Sequence, residues 1–393
     1  MTERLYYITP MLTSCEARVV SSHEEGGRFF AVLDRTVIFP EGGGQPADRG
    51  MIGEARVTDA KEQDGEVVHE TDRLLDAGSS VTVTLDVPRR LDHSEQHTGE
   101  HILSGLAHKL FGAKNVGFHM AEDYCTIDLD VFLSEEQLSR LEAEANAAVR
   151  RNAPVVPEEM DRAKLDAITI RKKSDVKSDE IRVVWIGGGD IDSCTCCGTH
   201  CATTGEVGYI RIVDSQKYKG GTRLWFSCGG RAVREASELT RAMTELARSY
   251  STSRSELPAA VRKQSEELSQ AKRELKARTQ ALCDGIALAH GEEIAVISAE
   301  GFGANDVKML TESLIRGGAK VALAFGRSGG ATHYRALRAE GVSAPMNELV
   351  KAVNGLMGGK GGGSPAFAQG SAKAPVTEEI ISAIRRMLEG WMK

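Results

Sequence analysis

Residues 91–110 read LDHSEQHTGEHILSGLAHKL, and they mark the point where the character of the chain changes. Before them, short apolar runs alternate with Gly, Asp and Pro turns. Within them, Ile102, Leu103, Leu106 and Leu110 recur at helical spacing. Each helical residue advances by about 100°, so His93, His97 and His101 fall within about 80° of one another. The apolar residues lie nearly opposite, which sets a histidine face apart from the helix's main apolar stripe.

Toward the N-terminus, strand signals at residues 28–33, 36–39 and 81–85 predict a small β-barrel over residues 1–90. Toward the C-terminus, strand signals at 124–129, 181–186 and 209–213 mix with a charged helix at 134–151. These elements do not alternate regularly, so an α+β layer domain over 91–232 fits better than a doubly wound sheet.

From residue 233 to 290 the chain reads as long polar helices. Val261, Leu268, Leu275 and Leu282 recur at every seventh position, and Leu239, Met243 and Leu246 form an earlier stripe. Their companion heptad positions are mostly polar, which favours an antiparallel helical hairpin over a long coiled coil. Pro258 marks the turn or the first turn of the second helix. Over 291–393, two buried-strand signatures at 294–298 and 319–324 flank a helix and predict a small α/β domain.

The last domain carries GLMGGKGGGSPAFAQG (355–370), read as a glycine-rich loop. It is not a phosphate-binding P-loop. Gly361 follows Lys360 where a magnesium-binding Ser or Thr is required, and no strand directly precedes it.

The 393 residues are 41% hydrophobic and 27% charged, as in a soluble globular protein. No apolar run reaches the roughly 18 residues of a membrane helix, and MTERLYYITP has no secretion signal, so a cytoplasmic protein is expected. The net charge of −7 argues against broad adhesion to nucleic acid. Local recognition stays open. Arg171, Lys172, Lys173, Lys177, Lys217, Lys219 and Arg223 form either an RNA-facing patch, with Arg223 a candidate substrate contact, or a solvated surface.

Cys194, Cys196, Cys197 and Cys201 fall within eight positions, a crowding that points to metal or thiol chemistry in a cytosolic chain. Cys196 and His200 can present sulfur and imidazole together. With His97 and His101 they complete a tetrahedral zinc shell. Cys196 is preferred to Cys197 because its spacing to His200 equals that of His97 to His101, which leaves Cys194 and Cys201 as structural or incidental thiols. His97-Thr98-Gly99-Glu100-His101 also fits the H-x-x-E-H pattern of inverted zinc peptidases, with Glu100 as the base. Those enzymes need a downstream carboxylate ligand and have no use for Cys-x-x-x-His.

Three motifs together, Gly42-Gly43-Gly44-Gln45-Pro46-Ala47-Asp48, His97-Thr98-Gly99-Glu100-His101 and Cys196-Cys197-Gly198-Thr199-His200, are followed by Thr204-Gly205-Glu206-Val207-Gly208. This set resembles the free-standing alanyl-tRNA editing proteins, relatives of the editing domain of alanyl-tRNA synthetase, over residues 1–232. The segment 361–370 resembles the glycine-rich signature of the synthetase's C-terminal domain, which implies the long type. Cys197 stands where glycine is usual, and Ser364 where a basic residue is common.

The resemblance implies one zinc ion per chain on His97, His101, Cys196 and His200, with Gln45, Gly43 and Gly44 lining the substrate site. It implies that the Thr36 hydroxyl senses the serine side chain; the plain alternative is an ordinary strand threonine. The activity implied is hydrolysis of the ester in tRNA(Ala) mischarged with serine or glycine, sparing Ala-tRNA(Ala). The logic is physical. A hydrophobic pocket rejects an added hydroxyl by only about 10², whereas a second site that hydrogen-bonds that hydroxyl reaches about 10⁴.

Zinc either activates water or positions the aminoacyl end, and Glu100 and His93 are candidates for ligand support or proton transfer. The C-terminal region is expected to contact tRNA, to form a homodimer, or both. Two other readings stand beside this one: an inverted-type metallopeptidase, and a nonenzymatic RNA-binding protein stabilised by zinc.

Overall fold

The computed structural model describes residues 1–173 and 180–392, so Lys177 lies outside the described residues. Contacts divide the chain into two units, Met1–Glu245 and Leu246–Lys393.

In the first unit, alternation along Glu66–Thr71 buries Val67, His69 and Thr71, and along Ser80–Leu85 it buries Val83 and Leu85. Six strands run in the order Ser14–Glu25, Arg28–Leu33, Glu66–Thr71, Ala55–Gln63, Gly50–Ile52 and Ser80–Leu85, and close into a barrel. Val19, Leu33, Ile38, Ile52, Val57 and Val67 fill its core.

One expected strand is different. Only Arg35–Thr36 pairs, in parallel with Glu3–Arg4, while Val37, Ile38 and Phe39 run on as a buried segment outside any ladder. Side chains meet the needs of this backbone: Ile38 N donates to Thr36 Oγ1 at 3.1 Å, and Phe39 N donates to Asp48 Oδ2 at 2.8 Å.

The histidine helix spans Val87–Phe111. Asp86 caps its start by accepting from Arg89 N, and Gly112 ends it in the left-handed conformation. Every residue from Gln96 to Ala107 is buried, so the histidine face is covered rather than solvated. Gly99 allows this, because a Cβ there would stand 2.1 Å from Cys228 Sγ on the strand Gly221–Cys228. Arg90, itself buried, pairs with buried Asp48 and so ties the glycine-rich segment 42–48 to the helix.

Two antiparallel sheets complete this α+β unit. The first has the order Ile210–Tyr218, Gly221–Cys228, Cys125–Leu129 and Asn115–Met120. The second has Val155–Met160, Ile181–Ile186 and Asp192–Thr195. The charged helix is Glu135–Arg150, opened by a Ser134/Gln137 capping box. A single core joins Ile102 and Leu103 of the histidine helix to Leu141, Ile127 and Phe226.

In the second unit, the helix Leu257–His290 begins with Pro258 in its first turn. Its heptad residues Val261, Leu268, Leu275 and Leu282 are 43%, 54%, 67% and 54% exposed, so they form a surface stripe rather than a packed seam. A five-stranded sheet follows in the order Ile294–Glu300, Val321–Ser328, Ala331–Arg338, Phe367–Ala372 and Lys360–Gly363. Its first pair is parallel across the helix Ala304–Arg316. The glycine-rich stretch expected as a loop is an edge hairpin, with Lys360–Gly363 paired antiparallel to Phe367–Ala372. No described helix is long and apolar enough to cross a membrane.

Candidate functional site

His97 and His101 stand one turn apart on the buried helix. Cys196 and His200 follow the strand Asp192–Thr195, in a segment held by Arg182, which donates to Cys196 O at 2.9 Å and Gly198 O at 3.0 Å. Across about a hundred residues of chain, these four side chains place one donor atom each within 4.8 Å of one another. Cys196 Sγ is 3.4 Å from His97 Nε2 and 3.4 Å from His200 Nε2.

The other ring nitrogens are engaged. His97 Nδ1 donates to Gln45 Oε1 at 2.8 Å, and His101 Nδ1 donates to Asp192 Oδ2 at 2.9 Å. His200 Nδ1 pairs with Thr98 Oγ1 at 3.3 Å. Thr199 N, which can only donate, reaches Gln45 Oε1 at 3.1 Å and fixes the amide's orientation. Proton-accepting partners at Nδ1 turn Nε2 of His97 and His101 inward, the atoms that can each give a lone pair to a metal ion. Gly198 is obligatory here, since a Cβ would lie 2.0 Å from His97 Cε1.

Burial and mutual charge tune the donor atoms. Burial would push the Cys196 thiol up, but the charge it feels from His97 and His101 outweighs burial and holds the thiol well below its ordinary value. Burial lowers His200 to about 3, which keeps its imidazole neutral and ready to ligate. The cluster can hold a metal ion.

His97, His101 and Cys196 line a cleft of about 1020 Å³ together with Gly43, Glu100, Asn115 and Phe118. Lys172 and Lys173, both exposed, line it as well.

The structure gathers some of the residues singled out from sequence and not others. Gln45 is wholly buried against His97 and Thr199, and Gly44 sits against Phe118. Glu100 Oε1 accepts from Ser104 at 2.5 Å and Asn115 at 2.6 Å, while Oε2 lies 3.7 Å from His101 Nε2. His93 stands apart from the ligand cluster, and burial lowers it to about 4, a neutral ring with Nδ1 unpartnered. Cys194 lies 3.5 Å from His101 Nδ1, and Cys197 is exposed.

Two of the expected substrate residues lie away from the cleft surface. Thr36 is wholly buried and does not line the cleft. His69 Nδ1 donates to Ala31 O at 3.1 Å, so His69 Nε2 accepts from Thr36 Oγ1 at 3.0 Å, and the hydroxyl also accepts from Ile38 N. Arg223 lies outside the cleft because its guanidinium forks onto Asp128, its cross-strand neighbour, at 2.6 and 2.7 Å, and stacks 3.8 Å over Tyr218. Lys217 lies over the Phe132 ring and Lys219 over Tyr218, and neither borders the cleft. Arg171, in the basic run, also borders the cleft, but its guanidinium is turned onto Asp192 and its side chain is only 9% exposed.

Asp192, Thr98, Asn115, Thr199 and Arg182 escaped the sequence reading. Thr98 sat inside the quoted motif, and Asp192 two positions before Cys194. Nothing in the spacing distinguished either from a surface residue.

A peptidase of the inverted type would draw a further ligand from a downstream carboxylate. Here the third and fourth donors are Cys196 and His200, and Asp192 is taken up by His101 and Arg171.

A barrel packed beside an α+β layer with a Cys-His cluster in its cleft defines a class, and the sequence matches it. The profile of the threonyl and alanyl tRNA synthetase second additional domain matches residues 181–224. The chain is 30% identical to the alanyl-tRNA editing protein AlaX-L of Pyrococcus horikoshii, over 98% of both chains. It is 34% identical to the alanyl-tRNA editing protein Aarsd1-A of Xenopus laevis, over 60% of each. It is also 30% identical to the alanine–tRNA ligase of Methanothrix thermoacetophila, over 94% of this chain and 42% of that one. The chain belongs to the alanyl-tRNA editing protein family.

Proposed function

We propose that this protein is a zinc-dependent aminoacyl-tRNA hydrolase that releases serine, and glycine, from mischarged tRNA(Ala) and spares Ala-tRNA(Ala). The observation that carries this is the S-N-N-N donor cluster in a cleft large enough for an aminoacyl-adenosine end, in a chain of the editing family. Zinc suits the donors. With Zn–S of about 2.3 Å and Zn–N of about 2.05 Å, a tetrahedron sets sulfur and nitrogen about 3.6 Å apart, and the structure has 3.4 Å for both measured pairs. His97, His101, Cys196 and His200 would hold the zinc ion, which would supply either an acidified water or an electrophilic anchor for the aminoacyl end; four protein donors favour the anchor.

The chain's own groups do the rest. Gln45 and the 42–48 segment hold His97 in register, and Gly43 borders the cleft. Glu100 presents Oε2 beside the ligand cluster while Ser104 and Asn115 fix its other oxygen. In this reading Glu100 takes a proton from the water that adds to the ester carbonyl and returns it to the departing ribose oxygen, yielding free amino acid and deacylated tRNA. Lys172 and Lys173 offer charge to the tRNA phosphates. Such a substrate puts the activity in the cytoplasm.

The division into a barrel (1–90), an editing domain (91–232), a helical linker (233–290) and a C-terminal domain (291–393) fits this reading, with the exposed stripe from Val261 to Leu282 available for homodimer contact. Replacing Leu268 and Leu275 by Glu should then halve the mass measured by light scattering; an unchanged mass removes the stripe from the dimer account. The hydrolase reading is tested by comparing Ser-, Gly- and Ala-tRNA(Ala) deacylation by metal-stripped and zinc-reloaded protein. Equal rates for all three substrates, or activity indifferent to zinc, would overturn it.

A further inference from the structure

The three histidines that face Cys196 are not supported alike. The Nδ1 of His97 meets a neutral amide, that of His200 a hydroxyl, and that of His101 a carboxylate. Only His101 receives a formal negative charge. We propose that Asp192, locked by Arg171, is the positioning residue of the metal centre, holding His101 in one tautomer and strengthening it as the dominant nitrogen donor. This inference rests on the metal reading given above.

The geometry is that of a built device. Asp192 has a wholly buried side chain, and all of its observed polar partners are charged or chargeable. Arg171 Nε donates to Oδ1 at 2.5 Å and Nη2 to Oδ2 at 2.9 Å, the two-pronged fork that fixes a carboxylate plane. Oδ2, in that plane, accepts from His101 Nδ1 at 2.9 Å. Gly105 lets the helix approach this carboxylate, since a Cβ there would lie 2.8 Å from Asp192 Cβ. Such carboxylate–histidine–metal chains fix ring orientation and raise ligand basicity, and losing the outer group typically costs about 10- to 100-fold in metal affinity.

A rival use of the same atoms is visible. His101, Asp192 and Cys194 also bring donor atoms within 4.8 Å of one another, as a second ion would require. The hydrogen bonds decide against it. An ion there would have to displace the Nδ1 proton of His101 and compete with the Arg171 cation for Asp192, putting two cations on one carboxylate.

Backbone pairing ties the device to the cleft edge. Arg171 N donates to Ser193 O at 2.8 Å and Thr195 N to Lys172 O at 3.0 Å, a short parallel bridge that lays residues 171–172 beside Asp192–Thr195. Arg171 points in to the metal centre's support, while Lys172 and Lys173 are exposed along the cleft.

The test uses the full-length protein with zinc and, for spectroscopy, cobalt(II). Zinc affinity by chelator competition should fall about 10- to 100-fold in Asp192→Asn, which keeps the shape and removes the charge. Arg171→Gln should fall less, and both should shift the cobalt visible bands, a signature that mere loosening of the fold would not give. Cys194→Ala should keep one zinc per chain. Asp192→Asn binding zinc within twofold of the native protein, with an unshifted cobalt spectrum, would overturn the inference and leave the hydrolase reading standing. A native protein that binds no zinc would sink both. Loss of stoichiometry in Cys194→Ala would overturn it in favour of the rival ion site. If Asp192→Asn does not fold, Arg171→Gln carries the test on the same two readouts.

Discussion

Removing the carboxylate of Asp48 should cost the first unit far more than a surface charge would. Asp48 and Arg90 have side chains 0% and 1% exposed. Arg90 gives Nε and Nη2 to Asp48 Oδ2, Nη1 to Pro10 O at 2.5 Å and Nη2 to Val37 O at 2.7 Å; Asp48 also accepts Phe39 N. In Asp48→Ala the guanidinium stays charged in the interior with two carbonyls for company, and Phe39 N loses its acceptor.

Breaking a buried pair from one side costs about 3–5 kcal/mol. For a unit of this size each kcal/mol lowers Tm by about 2–4 °C, so a fall of about 6–20 °C is expected. The double variant Asp48→Leu/Arg90→Met should recover most of that loss, because both charges leave together. Thermal unfolding followed by circular dichroism, with Trp185 and Trp225 fluorescence reporting on this unit, measures both. A single variant within 1 kcal/mol of the native protein, or a double variant as damaged as the single, would refute the reasoning. Because this pair fastens the 42–48 segment to the histidine helix, serine release should fall with stability in the single variant.

Other outcomes follow from named contacts. Gly198→Ala puts a methyl against the His97 ring and should lower zinc content at least tenfold with the fold retained; metal analysis after gel filtration reads this, and full occupancy would contradict it. Thr36→Val strands His69 Nε2 and Ile38 N, costing about 1–3 kcal/mol each, and with its hydroxyl held by these two groups should leave the ratio of Ser- to Ala-tRNA(Ala) hydrolysis unchanged; an eroded ratio would assign Thr36 the sensing role. Burial holds His69 at about 4 against an ordinary 6.5. The unfolded state therefore takes up its proton first, and the stability His69 contributes, complete above pH 6.5, is lost as pH falls toward 4, on the order of 3 kcal/mol in all. His69→Gln should flatten that part of the stability–pH curve, and an unchanged slope would show that His69 does not carry it.

The two halves of the Cys-His cluster were legible because each depends on short-range geometry, and the company of the 42–48 motif pointed to their meeting. A helix places His97 under His101 whatever surrounds it, and Cys196 to His200 is a single short segment. The barrel strands and the 294–324 βαβ unit were legible for the same reason, their apolar periods being local. What sequence did not disclose was set by distant partners. Residues 37–39 have the apolar, β-branched composition of a strand, but Thr36 and Asp48 side chains take the place of a ladder. Arg223 looked available for RNA, but the register of two strands set it opposite Asp128. The heptad from Val261 to Leu282 has the spacing of a seam, and it faces outward because spacing does not specify a partner. Asp192 gave no local signal at all, being one acidic residue among many until the fold brings it to His101.

Release of serine from Ser-tRNA(Ala), with Ala-tRNA(Ala) as control, in native protein and in Cys196→Ala matched for folding, tests the central claim most directly. The account predicts fast, serine-selective release by the native protein and its loss, together with the bound metal, in the variant. No serine release by the zinc-loaded native protein, or undiminished release by Cys196→Ala, would contradict it.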